Sequence, residues 1–244
     1  MAFALEWDKT GEKTYETGTR MGVLYPKTDA GQYGTGVAWN GLTAITESPS
    51  GAEETKLFAD DQKYLSLYSA EEFGATVEAY TYPDEWAECD GSALIADGVY
   101  AGQQVRKGFG MCYRTVLGND EQGEGYAYKL HLLYGGMASP SEKSYATIND
   151  SPDAVTFSWE ITTTPINLPG DLKPTSILTI YSNKIQDKTK LTRLENILYG
   201  TAAVVADPEH NIEAADAVAP RLPLPEEVIS IIGNSNASNT GTGN

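Results

Sequence analysis

Cysteine and histidine are scarce in this chain. Only Cys89 and Cys112 occur among 244 residues, too few for the disulfide framework that staples small secreted domains. Two thiols kept reduced in a cytoplasm are the simpler interpretation, and pairing of the two in a mature particle stays open. The two histidines, His131 and His210, have no partner at metal-ligand spacing, and the cysteines form no CxxC pair. We therefore expect no metal site and no cofactor.

Basic residues and long apolar runs are also scarce. Seventeen Lys and Arg stand against 34 Asp and Glu, a formal net charge of −17. Tight binding of DNA or RNA depends on Lys and Arg at phosphates, so this balance argues against it. A protein that lets nucleic acid pass without binding remains compatible. The start, MAFALEWDKTGEK, has no basic and apolar leader, and no apolar run approaches the roughly 18 residues of a membrane span. We expect neither a signal peptide nor membrane insertion.

Catalytic motifs are missing as well. There is no GxSxG elbow to mark a nucleophilic serine. The glycine-rich Gly31–Gly36 segment, GQYGTG, lacks both the GxGxxG spacing and the lysine of a phosphate loop. The acidic residues near position 55 lack the alternating ligand pattern of a calcium loop. We therefore expect no enzymatic activity, and an enzyme on a β scaffold is the least favoured hypothesis.

Tyrosine and glycine, in contrast, are plentiful. Fifteen Tyr and 24 Gly, with 41% hydrophobic residues, favour sheets and turns over helix bundles. The length suits one large β domain or two small ones. A sugar-binding platform is one interpretation of Trp39, Trp86 and Trp159, but aromatics at strand spacing more often belong to a core or an interface.

Alternating apolar and polar residues predict the strands. The clearest run is Phe73–Tyr82, in which Phe73, Ala75, Val77 and Ala79 share one face. The turn sequence LGNDEQGEG predicts a hairpin between two further strands. The predicted strands begin near Met21 and are 21–26, 37–46, 64–69, 73–82, 107–116, 126–135, 155–162 and 176–181.

Between two of these strands lies Ser48–Asp61, which we interpret as a long polar loop. Five carboxylates and one lysine occur between Glu47 and Asp61. A charged loop between two well-formed strands usually makes contacts, so we expect it to bind another subunit. The candidate contact residues are Ser48, Glu53, Glu54, Lys56, Phe58, Asp60 and Asp61.

The last third of the chain breaks the β pattern. Leucines and isoleucines at helical spacing predict one amphipathic helix over 187–199, with Asp187 as N-cap and Gly200 just beyond its end. Residues 1–20 are interpreted as an N-terminal arm and 201–232 as an extended C-terminal arm that docks on a neighbour. Residues 233–244 are expected to be a disordered tail. The β domain would then span 21–200.

Several blocks of sequence resemble one known family. LEWDKTGEKTYETG, YGTGVAWNGLTAITESPSGAE and SAEEFGATVEAYTYPDEWAECDGS occur in that order, followed by YKLHLLYGGMASPSEKSYATINDSPDAVTFSWEITTTP and PLPEEVISII. They are similar to the major tail proteins, or tail tube proteins, of long-tailed phages and prophages of Gram-positive bacteria. The resemblance covers roughly residues 5–232 and consists of diffuse blocks without a catalytic signature.

The resemblance implies a mainly β fold, a β-sandwich or barrel with one packed helix, a long inter-strand loop and extended terminal arms. It implies a structural virion protein, made in the host bacterial cytoplasm and located in the tail. Six subunits would form a ring, and the rings would stack into a tube that conducts the genome to the host. Partners would be further copies, the tape measure, the tail terminator, and baseplate or distal tail proteins, with transient passage of double-stranded DNA.

The net negative charge would suit the interior of such a tube, because acidic side chains repel the DNA phosphates and do not bind the moving DNA. Glu78 and Glu160, on the polar faces of two predicted strands, are the candidate lumen carboxylates; solvation on the outer surface is the alternative for each. The alternative function is a non-tube virion β-sandwich module, such as a baseplate, tail completion or carbohydrate- or receptor-binding part.

Overall fold

The computed structural model describes residues 4–148, 153–204 and 214–233. It is mainly β, with three helices, and its sheets are antiparallel. Its strands form no closed barrel within those residues, and the fold is consistent with a β-sandwich. The predicted fold class is therefore confirmed in its sandwich form. His210 and residues 234–244 of the expected tail lie outside the described residues.

The strands in the main sheet are β1 (Thr14–Pro26), β2 (Val37–Trp39), β3 (Leu42–Glu47), β8 (Gly74–Ala79), β11 (Phe109–Asn119), β12 (Gly123–Ala138), β13 (Phe157–Thr163) and β14 (Ile177–Tyr181). The other strands are β4 (Ser50–Gly51), β5 (Glu54–Ala59), β6 (Gln62–Tyr68), β7 (Glu71–Glu72), β9 (Ala93–Ala96) and β10 (Val99–Ala101). The helices are α1 (Trp86–Cys89), α2 (Lys188–Tyr199) and α3 (Pro225–Ile232).

The main sheet has eight strands in the order β2-β1-β11-β12-β13-β8-β3, with β14 also paired to β12. Strand β12 runs beside β14 through Leu133 and beside β13 from Gly136. Gly135 lies between these two pairings at φ 62°, and a Cβ there would lie 2.1 Å from the carbonyl oxygen of Thr164. Only glycine fits such a position, so this residue lets one strand change partners.

The inner core shows that the sheet folds over on itself. Side chains of β1, β11 and β12 pack there against side chains of β8 and β13. At its centre the rings of Trp39, Trp86 and Trp159 lie within 5.7 Å of one another, measured between ring centroids. All three tryptophans are buried, so they do not form an exposed sugar-binding platform.

The outer core lies on the opposite face of β12 and is covered by two helices. Leu191, Leu194 and Leu198 of α2 are buried against this face, each stabilising the fold by roughly 1.5–3 kcal/mol. Two tyrosine hydroxyls join the layers: Tyr25 donates to the Leu198 carbonyl at 2.7 Å, and Tyr134 donates to the Pro223 carbonyl at 2.9 Å. Helix α2 therefore packs on the sheet as predicted, with Asp187 accepting from the Thr189 N–H at 3.0 Å and Gly200 following at φ 75°.

Several predicted elements differ from the structure. The first strand begins at Thr14 instead of near Met21, so the N-terminal arm is shorter than expected. The predicted strand over 37–46 is two strands, broken at Asn40 and Gly41, where the chain passes from one edge of the sheet to the other. A short hairpin of β9 and β10 follows the helical turn of α1, where only helical turns were predicted.

The end of the C-terminal arm also differs from the expectation. Residues 225–232 form helix α3, whose Val228 and Ile231 are buried against the chain's own outer core. Pro225 in the first turn and the carboxylates of Glu226 and Glu227 favour a helix start there. Of the apolar residues that indicated docking on a neighbour, Leu222, Val228 and Ile231 pack within the subunit, while Leu224 and Ile229 are exposed.

Candidate functional site

The predicted polar loop is a projecting β-hairpin. Strands β5 and β6 form a two-stranded sheet of their own, and β4 and β7 form a shorter ladder at its base. The tip residues Asp60 and Asp61 have φ 50° and 59°, as a two-residue type I′ turn requires. The expectation of an irregular loop over Ser48–Asp61 is thus wrong, because the element runs on to Glu72 and is regular.

The base of this hairpin is closed tightly. The Ser48 N–H donates to the Gly74 carbonyl at 2.8 Å, so the two ends of the insertion lie side by side. Gly51 has φ 86°, and a Cβ there would lie 2.2 Å from the Ala70 carbonyl oxygen. The hairpin therefore leaves the sheet at a narrow neck between β3 and β8.

One face of the hairpin is aliphatic. Register pairs Leu57 with Leu65 and Thr55 with Leu67, which places these four side chains on the same side. Leu57, Leu65 and Leu67 are 40%, 37% and 53% exposed. A two-stranded hairpin is marginally stable alone, and adjacent exposed apolar side chains mark contact sites. This aliphatic face is the strongest feature of a binding surface in the described residues.

The opposite face is charged and aromatic. Glu54 is its centre: its carboxylate accepts from Lys63 and Ser66 and lies 3.5 Å from Lys56. The bonds to Lys63 and Ser66 lower the pKa of Glu54. Phe58, Tyr64 and Tyr68 are exposed on this face.

The sequence-predicted contact residues divide by position. Ser48 lies at the neck, Asp60 and Asp61 form the tip, and the Glu53 N–H donates to the Ser69 hydroxyl at 3.0 Å. Glu54, Lys56 and Phe58 share the charged face. Sequence reasoning missed the aliphatic face. Its signal was that Thr55, Leu57, Leu65 and Leu67 occur at every second position on either side of the Asp-Asp pair.

Glu78 and Glu160 share one face of the sheet. Glu78 lies opposite Ser158 and Glu160 lies opposite Thr76, so adjacent strands β8 and β13 direct both carboxylates away from the inner core. Glu160 is exposed and Glu78 half-buried. The two predicted lumen residues therefore belong to one polar surface.

No protein-family model and no curated protein matches this sequence. The family resemblance therefore stays a hypothesis.

Other site chemistry is sparse in the part of the chain that the structure describes. No group of three or more His, Cys, Asp or Glu side chains there is arranged to hold a metal ion. None of the helices in that part has the length and apolar content to span a bilayer. Cys89 and Cys112 are free and lie in different cores, on opposite sides of the sheet. The two thiols are therefore unpaired within the subunit.

Proposed function

We propose that this protein is a structural, non-enzymatic subunit of a phage tail tube, which self-assembles into stacked rings that conduct the viral genome to the host. The observation that carries the proposal is the aliphatic face of the projecting hairpin, Leu57, Leu65 and Leu67, which is exposed in the single subunit. The family resemblance supplies the kind of assembly and its hexameric rings.

The hairpin supports a stacking contact because of its shape and position. It projects from a narrow neck at one end of the β3–β8 pair, and we assign its receiving site on another copy to a different surface. A contact between two different surfaces repeats without closing and generates a filament. We assign the hairpin to the contact between successive rings, and the β8 and β13 strands to the tube wall.

The charge distribution supports passage of DNA. The chain carries a net charge of −17, and six copies in a ring would bring six times that charge around the lumen. An acidic wall repels the phosphate backbone and offers no binding well. Glu78 and Glu160 remain our candidates for this wall, and the outer surface remains the alternative.

The partners follow from the same assignment. The subunit would contact further copies of itself, the tape measure protein inside the tube, and the tail terminator and baseplate or distal tail proteins at its ends. Double-stranded DNA would pass transiently. We place the protein in the virion tail, made in the host bacterial cytoplasm, without membrane insertion.

One observation favours a second candidate function. Phe58, Tyr64 and Tyr68 are 67%, 72% and 69% exposed on the hairpin, and exposed aromatic rings are suited to stacking on sugar rings. A non-tube virion module that binds carbohydrate or a receptor, in a baseplate or tail completion role, uses such a face.

Negative-stain electron microscopy of the purified protein, and of virions that contain it, separates the two functions. Stacked rings with an open lumen support the tube. A monodisperse monomer that binds a glycan, and that localises to the tail tip in virions, overturns it. Because some tube subunits need an initiator complex, polymerisation is also assayed with tail-tip extracts added.

A further inference from the structure

A buried histidine lies where the hairpin joins the sheet. His131 of β12 is 7% exposed, and its ring stacks on Tyr113 at a centroid distance of 4.6 Å and an interplanar angle of 3°. Its Nδ1 lies 3.3 Å from Glu47 Oε1, and the Tyr113 hydroxyl donates to the same oxygen at 2.6 Å. Glu47 is the last residue of β3, directly before the hairpin neck at Ser48.

The other ring nitrogen fixes the tautomer. His131 Nε2 lies 3.0 Å from the Thr115 hydroxyl oxygen. That hydroxyl has one proton, which it donates to Glu16 Oε1 at 2.6 Å. Towards Nε2 the hydroxyl can then only accept, so Nε2 carries a proton in both charge states of the ring.

The fixed tautomer determines the hydrogen bonding of His131 Nδ1. In the neutral ring Nδ1 has a lone pair that faces the Glu47 carboxylate, acceptor against acceptor, and the buried Nδ1 has no well-formed hydrogen bond. When the ring takes up a second proton, Nδ1–H becomes a donor to Glu47 in a charge-assisted bond. Histidine makes this change between about pH 5 and 8.

The neighbouring charges favour this bond. Glu47 of β3, Glu16 of β1 and Lys129 of β12 are the charged groups that face the ring, with Tyr113 of β11 stacked on it. The nearby His131 ring and the hydrogen bond from Tyr113 lower the pKa of Glu47 despite its partial burial. Burial raises the pKa of Glu16, but its bonds to Lys129 and Thr115 lower it overall. The lowered pKa values favour the ionised form of both carboxylates.

We propose that His131 and Glu47 form a pH-dependent clamp at the neck of the hairpin. Protonated, His131 holds the end of β3 against the centre of the sheet and steadies the neck. Neutral, it leaves Glu47 to Tyr113 alone, and the neck opens more often. The clamp stands independently of the tail-tube function; its effect on assembly rests on that function.

The first test reads the tautomer in the unaltered protein. The chain has two histidines, so the side-chain ¹⁵N signals of histidine-labelled protein are assigned with the single variant H210Q. The neutral His131 ring is expected as the Nε2–H tautomer. Observation of the Nδ1–H tautomer overturns the proposal, whatever any variant does.

The second test follows hydrogen exchange by mass spectrometry in peptides from the 48–72 insertion. After correction for intrinsic rates, exchange near the neck is expected to be about tenfold slower at pH 5.5 than at pH 8, the scale of a charge-assisted bond. H131Q and E47Q should each remove this difference, while H210Q, the matched control, should retain it. Equal protection at both pH values in the unaltered protein overturns the clamp.

The two proposals fail separately in these experiments. A protein that never forms tubes but shows the pH-dependent protection retains the clamp and loses the tail function. A protein that forms tubes but has pH-independent protection at the neck retains the tail function and loses the clamp.

Discussion

The guanidinium of Arg114 lies 3.7 Å above the ring of Tyr128, and both side chains bond to the same carboxylate oxygen of Glu195 on helix α2. The two residues project from neighbouring strands β11 and β12 on the face that the helices cover. This triad fixes the rotational setting of the helix as well as its distance from the sheet. It is also the most deeply placed ion pair on that face, with 20% and 21% of the Arg114 and Glu195 side chains exposed.

Replacing Arg114 by Ala should therefore destabilise the fold. Loss of one partner of a fully buried pair costs about 3–5 kcal/mol, and partial exposure reduces the expected loss here to about 2 kcal/mol. Urea unfolding measures it. Arg20→Ala is the matched control, since its pair with Glu124 is 56% and 54% exposed and should cost less than about 1 kcal/mol. Equal losses of unfolding free energy in the two variants would show that the triad stabilises the fold no more than an exposed ion pair does.

Polar substitution of the aliphatic hairpin face should stop assembly and leave the fold intact. In the double variant L65S/L67S we expect unfolding within about 1 kcal/mol of the parent, because both positions are exposed. Tubes should be absent in electron micrographs. Ile95→Ser, which alters a 67% exposed residue on the β9–β10 hairpin, is the control and should still assemble. Normal tubes in L65S/L67S would contradict the stacking assignment.

Removal of the whole hairpin should likewise abolish tube assembly and leave the rest of the fold intact. A deletion of Ala52–Asp60 alone takes away β5 and leaves β6 unpaired, so it tests misfolding as much as assembly. Replacing Ala52–Ala70 by Asn-Gly closes the β4–β7 ladder with a two-residue turn. The subunit should fold with an unchanged circular dichroism spectrum apart from the lost strands, and should not lengthen into tubes.

Lysine at the wall carboxylates should slow passage of the genome. Glu78→Lys with Glu160→Lys changes the charge of each subunit by four, and a basic lumen binds phosphates. Genome ejection, followed by release of DNA from purified particles, is expected to slow most at low ionic strength, where screening is weakest. Lysine at Asp97 and Glu85 makes the same charge change away from this face and serves as control. An unchanged ejection rate at low salt would indicate that both carboxylates lie on the outer surface and not in the lumen.

Both thiols should be inert until the protein unfolds. Burial raises the pKa of Cys89 to about 12 and that of Cys112 to about 12, so neither is a thiolate at pH 8. Labelling with Ellman's reagent should be negligible in native protein and should reach two thiols per chain in denaturant. Rapid native labelling of either cysteine would contradict the burial described for it.

Alkaline solution should weaken the fold through its buried tyrosines. Burial raises the pKa of Tyr25 well above 10, and burial with the Glu195 bond raises that of Tyr128 to about 12. The neutral phenols stabilise the folded state fully below about pH 10, where unfolded tyrosine titrates, and this stabilisation is lost as pH rises further. Urea midpoints from pH 8 to 11 should fall accordingly, and less steeply in Tyr25→Phe. A flat profile would be inconsistent with these buried phenols.

Periodicity predicted the elements that pack against a core. Ala75, Val77 and Ala79 are buried along β8 as their alternation indicated, and the leucines of α2 are buried at helical spacing. Both signals arise because burial on one side selects apolar residues at the spacing of the element. The resemblance to a family added a function, which periodicity cannot supply.

The elements that were misassigned lack that one-sided selection. The hairpin has no core beneath it, so its charged residues suggested a loop, and only the Asp60–Asp61 turn with alternation on both sides carried its signature. Residues 225–232 were expected to belong to an extended arm, and the helix there is set by Pro225 and by packing on α2. The contact between His131 and Glu47 joins residues 84 positions apart in sequence, and no local sequence pattern predicts such a contact.

The narrow neck has a consequence for how such a protein changes over time. Because Ser48 and Gly74 lie side by side, the hairpin segment 50–72 can be exchanged while Phe73, which packs on the inner core, stays in place. It behaves as a cassette, able to take on a new partner surface while the sheet that carries it keeps its sequence. Lineages that share the sheet could therefore diverge in the partner that this segment contacts.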